Sequence, residues 1–253
     1  MNTSDFESNV RALLEARAGG DVLQSLPGGE PADFDEAYAI QDAVARALGA
    51  VGGWKVGGKP EAEPTCAPMQ AVDIHRTNYR MPHQAGRKCG VECELAVRMK
   101  SDLPPRERPY TREEVLDAIA TVHPAFEVVT YRLADHESLS RVVLATDAFG
   151  NGAFVYGAGC EERVGLDQTQ QRVLFDVNGE RKVDMTGGNP AGDIFRLITW
   201  LANHLARRGS GLRAGQFVTT GSSTGMLFLE GGESLRAEFP GVGIVEMSIA
   251  AEA

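Results

Sequence analysis

The stretch that decides the fold is Gly90-Val91-Glu92-Cys93-Glu94-Leu95-Ala96-Val97-Arg98-Met99. Its apolar residues fall on every second position, so Val91, Cys93, Leu95 and Val97 share one face of a strand. Glu92 and Glu94 then project together from the opposite face, roughly 6–7 Å apart at Cα. Two long carboxylate side chains at that spacing can converge on one cation. The plain alternative is an exposed strand face on which both glutamates meet water.

Working outward, further strands surround this one. VGGWKVGG (residues 51–58) reads as a short strand between glycine pairs, AFEVVTYRL (125–133) as another, and GAFVYG (152–157) as a third. Val173, Phe175 and Val177 alternate into Asn178-Gly179, a strong hairpin signal. QFVTTG, ESLRAEF and GIVEMSIA close the chain as strands, the last two joined across Pro240 to Gly243. Two helices open it: Phe6, Val10, Leu13 and Leu14 mark one over about residues 4–17, ended by Gly19-Gly20. Asp33, with Glu36 three residues on, caps the second, in which Ala37, Ile40, Val44 and Leu48 recur until Gly49.

Later, Thr111 and Glu114 cap a helix expected to run to about Val122, with Pro124 ending it. Asn189-Pro190 is expected to start the longest helix, which Gly209 terminates. Residues 59–89, with four prolines and little periodicity, read as an ordered loop region. No βαβ rhythm and no repeat is visible. The pattern predicts an α+β protein: a helical segment over residues 1–50, then a domain over 51–253 built around a mixed, curled sheet.

Bulk properties narrow the function. The 253 residues are 43% hydrophobic and 24% charged, ordinary for a globular chain. The net charge of −10, with no basic cluster beyond Arg87-Lys88 or Arg207-Arg208, argues against a nucleic-acid partner. No run approaches the roughly 20 apolar residues of a membrane span. The opening MNTSDFESNV lacks the character of a signal peptide, so a cytoplasmic location is expected. Cys66, Cys89, Cys93 and Cys160 form no CxxC pair and read as reduced thiols, Cys93 in the core. The five histidines show no ligand spacing, and there is no GxSxG motif.

Three features could carry chemistry besides Glu92 and Glu94. Glu127 sits in a run that is otherwise apolar on both faces, where a lone carboxylate is costly unless paired or metal-bound. The alternative is an ion pair with Arg132, Arg141 or another base. Three carboxylates with no thiolate or imidazole suit a hard ion, Mg²⁺ or Mn²⁺. Lys55, between Trp54 and Val56, either reaches the surface or is held for function. Beside a metal, burial and the cation are expected to lower its pKa and make it an acid/base. Thr219 to Gly225 follows a strand and could present N–H groups and hydroxyls to a carboxylate, or form a turn. Asp147, within TDAFGNG, is a turn residue or a group supporting the site.

Taken in order and spacing, these pieces resemble the fumarylacetoacetate hydrolase superfamily, in its 2-keto-4-pentenoate hydratase and 4-oxalocrotonate decarboxylase branch. EAYAIQDAV is similar to that branch's N-terminal helix, GGWKVGG to its G-x-K-x-G segment, VECEL to its ExE metal strand and AFEVV to the strand after it. GNPAGDIFRLITWLANHLARRGSGLRAGQFVTTGSSTG is similar to its long helix and TGS-type loop. The resemblance implies a mixed β-sandwich or roll with peripheral helices, usually oligomeric. It implies Glu92, Glu94 and Glu127 as Mg²⁺ or Mn²⁺ ligands and Lys55 as a catalytic acid/base. Thr220, Gly221 and Ser222, with Asp147, would face a small 2-keto acid.

Two positions depart from that pattern. Thr65 stands where many related hydratases carry an acid, and Gly150 or Asn151 where some carry a serine. The activity implied is hydration of a 2-hydroxy-2,4-dienoate to a 4-hydroxy-2-keto acid. Decarboxylation of a 2-keto diacid, C–C hydrolysis of an acylpyruvate and a non-catalytic metabolite binder are the alternatives. The His/Glu pair that hydrolysis would suggest is not evident.

Overall fold

The computed structural model describes residues 1–83, 87, 89–161, 164 and 166–252. Helices α1 (Thr3–Arg17) and α2 (Phe34–Leu48) lie where the apolar spacing places them. Asp33 accepts the Glu36 N–H at the start of α2, but Glu36 returns its carboxylate to Ala32 N–H and the N-terminal amine instead of Asp33. Leu13, Ile40 and Val44 form a small apolar cluster with Leu26, Leu133 and Val143.

The strands are β1 (Val51–Gly57), β2 (Thr65–Gln70), β3 (Ile74–Arg76), β4 (Tyr79–Met81), β5 (Cys89–Met99), β6 (Ile119–Val129) and β7 (Asn151–Tyr156). They continue as β8 (Arg172–Val177), β9 (Glu180–Thr186), β10 (Phe217–Ser222), β11 (Leu227–Leu229), β12 (Ser234–Phe239) and β13 (Gly243–Ile249). Among the described residues they build two sheets. One has the order β2-β1-β10-β5-β6-β7-β3, with β11 added to β5, and the other β4-β13-β12-β8-β9. Parallel and antiparallel pairs coexist, since β1–β10, β3–β7 and β4–β13 run parallel. The architecture is mixed α+β.

The apolar face of β5 and β6 forms the core with the second sheet. Val91, Cys93, Leu95 and Val97 are fully buried, and Phe126 meets Phe175 at 5.7 Å between ring centroids. Helix α5 (Ile194–Arg207) adds Ile194, Leu197, Ile198 and Leu201 to the same cluster. Asn178 and Gly179 both take positive φ, as a tight two-residue hairpin turn between β8 and β9 requires.

Three expectations are corrected. The helix capped by Thr111, α3 (Arg112–Asp117), is short, and the chain passes into β6 at Ile119. The β-branched residues Ile119, Thr121 and Val122 favour the strand, and Pro124 sits inside it with its carbonyl accepting Gly157 N–H. Helix α5 begins after Asp193, whose carboxylate caps it, not at Pro190, and it is no longer than α1 or α2. The region expected as loop contains β2, buried throughout. Helix α2 and helix α4 (Arg141–Thr146) cover this edge strand: Gln41 donates to the carbonyls of Cys66 and Ala145, and Tyr38 Oη accepts Cys66 N–H. Residues 84–86 and 88 of that region lie outside the described residues.

Candidate metal centre

The site grows from the polar face of the larger sheet. In the β5–β6 ladder Glu92 lies directly opposite Glu127, and directly opposed residues share a face. Glu94 faces Ala125, whose small side chain leaves room beside it. On its other flank β5 pairs with β10, and the register slips between Thr219 and Ser222. That irregularity, with Gly221 at φ +95°, turns the Gly221 N–H onto Glu94 Oε2 at 3.0 Å, and the Thr219 hydroxyl donates to the same oxygen. Next along the sheet, Lys55 of β1 pairs with Thr219. Its Nζ passes over β10 and β5 to an ion pair with Glu127 and also donates to the Phe149 carbonyl at 3.4 Å.

The three carboxylates each bring one oxygen within 4.8 Å of the others. Glu94 and Glu127 are buried, and Glu94 Oε1 has no hydrogen-bond partner among the described residues. A buried carboxylate oxygen without a donor is costly, and a dication placed among the three groups would complete it. The donor set, all carboxylate oxygen, suits Mg²⁺ or Mn²⁺.

The electrostatics of the protein alone show the same demand. Burial, then the neighbouring Glu127 carboxylate, raises the Glu92 carboxyl to about 7. Burial, Glu127 and Glu92 push Glu94 well above the usual range. For Lys55 the protein alone sets the balance without a cation, to which the lowering expected beside a metal does not apply. Burial pulls its ammonium down, but Glu127, Glu92 and Glu94 outweigh that and hold it charged, with a net upward shift.

These groups line a cavity of about 530 Å³, together with Thr220, Gly221 and Ser222. The hydroxyls of that loop are turned to the protein: Thr220 donates to the Leu95 carbonyl and Ser222 to that of Gly225. The loop therefore braces the carboxylates more than it offers free donors. Asp147 is not among the residues lining the cavity. It is fully buried behind it, its carboxylate held by Arg132 Nε at 2.6 Å and by the Arg132 N–H at 3.0 Å. That leaves Glu127 with Lys55, not Arg132 or Arg141, as its ion-pair partner.

Sequence reading missed Asn189 and Tyr131 as contributors and left the roles of Thr219 and Arg141 open. Thr219 orients Glu94, and Asn189 ties the loop by donating to the Thr220 and Gly221 carbonyls at 3.0 Å each. Arg141 and Tyr131 form part of the cavity wall. Asn189 was legible only as a helix-start signal, and Arg141 only as a candidate ion-pair partner of Glu127. Nothing local marked either as facing the cavity.

A mixed sheet thus presents three carboxylates that could hold a divalent metal, with a lysine beside them. The family model for the fumarylacetoacetate (FAA) hydrolase C-terminal region matches residues 38–250, and the chain belongs to that family. It is 27% identical over 262 residues to 2-keto-4-pentenoate hydratase of Paraburkholderia xenovorans (strain LB400), covering 97% of this chain and 95% of that one. A 2-hydroxyhexa-2,4-dienoate hydratase from Comamonas testosteroni is 26% identical over 261 residues, 96% of this chain and 97% of its own. In fold the chain is similar to 4-oxalocrotonate decarboxylase from Pseudomonas putida G7, complexed with magnesium and adipate. The TM-score is 0.86 at 20% identity, over 98% of each chain. No described helix is long and apolar enough to cross a membrane.

Proposed function

We propose that this chain is a lyase that adds water to a 2-hydroxy-2,4-dienoate, yielding a 4-hydroxy-2-keto acid. The observation that carries the reading is the cage of Glu92, Glu94 and Glu127 with a partnerless Glu94 oxygen, set beside Lys55 in one cavity. Full-length similarity to two hydratases acting on such dienoates supports the substrate class. Glu92, Glu94 and Glu127 would hold Mg²⁺ or Mn²⁺; magnesium accompanies the fold neighbour. When bound, the dication supplies Lewis acidity and a template for a carboxylate and the adjacent 2-oxygen.

The chain's own residues do the rest. Lys55 Nζ, fixed by Glu127 and the Phe149 carbonyl, would as an ammonium give a proton to the terminal carbon of the dienol. The proton of the 2-hydroxyl restores the ammonium as the ketone forms. Water then adds across the conjugated alkene, hydroxyl at C4 and hydrogen at C3. Thr219 and the Gly221 N–H hold Glu94 in place throughout. The resemblance implies a homo-oligomer, which light scattering checks.

The test is turnover of 2-hydroxypenta-2,4-dienoate with Mg²⁺ and after chelation. A rate that chelation leaves unchanged rules the mechanism out. Release of carbon dioxide from a 2-keto diacid, with no hydrated product from any dienoate, would replace it by the decarboxylase reading.

A further inference from the structure

One peptide unit beside Glu94 has nothing in its own strand to fix its direction. The Gly221 N–H that meets Glu94 Oε2 belongs to the Thr220–Gly221 peptide, whose other end is the Thr220 carbonyl. Residues 220 and 221 are paired with neither neighbouring strand: the β1 ladder ends at Thr219, and the β5 ladder passes from Thr219 to Ser222. Gly221, at φ +95°, has no Cβ to hinder a flip of that peptide. Its orientation has to come from hydrogen bonds at both ends.

Asn189 supplies the far end. It is buried, and its Nδ2 donates to the Thr220 and Gly221 carbonyls at 3.0 Å each and to Gln168 Oε1 at 3.1 Å. Its Oδ1 accepts the Ala191 N–H at 2.9 Å, which turns the donor side of the amide toward the loop. Gly188 permits the approach, since any side chain there would run into the Ser223 carbonyl. In a trans peptide the C=O and N–H point in opposite directions, so Asn189 and Glu94 grip one planar unit from its two sides. Donation to the carbonyl also polarises the unit and strengthens its N–H as a donor.

We infer that Asn189, backed by Gln168, is a positioning residue of the metal centre. It sets the Thr220–Gly221 peptide so that its N–H holds Glu94 Oε2 and leaves Oε1 for the cation. This rests on the metal site proposed above and adds a control on it. An amide that is no ligand and does not touch Glu94 then governs how tightly the cage closes on a dication.

Asn203 provides a matched comparison. Its amide also makes three backbone bonds, from the Tyr110 N–H at 2.7 Å and to the Tyr110 and Thr199 carbonyls at 3.0 Å each, but on α5 and outside the cavity lining. In metal-free protein carrying isotope-labelled glycine, the Gly221 amide proton should resonate well downfield and exchange slowly with solvent. Asn189→Ala should move it upfield, speed its exchange and weaken Mg²⁺ binding in calorimetry about 10- to 100-fold. Gln168→Met, a milder change, should move all three readings the same way by less. Asn203→Ala should lower the melting temperature to a similar degree, yet leave the Gly221 amide and the Mg²⁺ affinity as in the wild type. A Gly221 amide that exchanges freely in the wild-type protein overturns the inference. So does one that neither Asn189→Ala nor Gln168→Met disturbs, or an Asn203→Ala protein that loses as much Mg²⁺ affinity as Asn189→Ala. Wild-type protein that binds no Mg²⁺, with a Gly221 amide that still answers to Asn189→Ala, would uphold the grip on Glu94 while the metal reading fails.

Discussion

Two antiparallel strand pairs each carry several acidic side chains, and they treat them in opposite ways. On β8–β9, Asp184 lies in solvent and accepts from Arg172 Nε and Nη2 at 2.7 and 2.6 Å, and Asp176 is paired with Arg181. The hydrogen bonds from Arg172 hold the Asp184 carboxyl below its usual range. On β5–β6, three carboxylates share one lysine and are largely cut off from water, and burial with mutual repulsion raises Glu92 to about 7. Acidic strand residues are thus unremarkable where arginines and solvent balance them. Where both are withheld, the uncompensated negative charge is what the proposed cation would balance.

Breaking that balance should cost most. Glu94→Gln removes the proposed ligand whose oxygen has no hydrogen-bond partner among the described residues, and is expected to lower kcat/KM about 10³-fold or more, with loss of Mg²⁺ binding in calorimetry. Lys55→Met should lower kcat by about 10²- to 10⁴-fold while Mg²⁺ still binds, separating proton transfer from metal capture in the same two assays. Asp147→Asn leaves Arg132 as an unbalanced buried charge. It should destabilise the fold by about 3–5 kcal/mol in urea titration, with the metal still bound by folded protein. Thr219→Val withdraws one donor from Glu94 and should weaken Mg²⁺ binding about 10- to 100-fold, read by calorimetry. At the other end, Asp184→Asn on the solvated hairpin should leave the melting temperature and turnover unchanged within experimental scatter. A loss of turnover there comparable with Thr219→Val would undo the contrast between the two strand pairs.

The readable and unreadable parts of the site divide along the same line. The VECEL alternation placed Glu92 and Glu94 on one face, and the apolar run around Glu127 flagged it as costly. Lys55 stood out between Trp54 and Val56. The pairing of Lys55 with Glu127 was not readable, because it depends on which strand lies beyond the next. Asp147 was legible as a residue of interest but not as the partner of Arg132, fifteen positions earlier in the chain. The extent of α3 was misjudged because a sound cap at Thr111 says where a helix begins, while the β-branched residues after Ala118 and the ladder with β5 decide where it stops.

Side-chain direction along a strand is a local property with a period of two residues. The residue order therefore determined on its own which face of β5 is apolar, which carries carboxylates, and where Asn178-Gly179 turns the chain. Neighbourhood across strands is not local. Only the tertiary structure set β10 between β1 and β5, putting Thr219 and the Gly221 N–H against Glu94, laid Lys55 over to Glu127, and brought Arg141 of α4 to the cavity wall. Ladders joining residues more than a hundred positions apart made those choices, through backbone hydrogen bonds and burial that no short stretch of sequence contains.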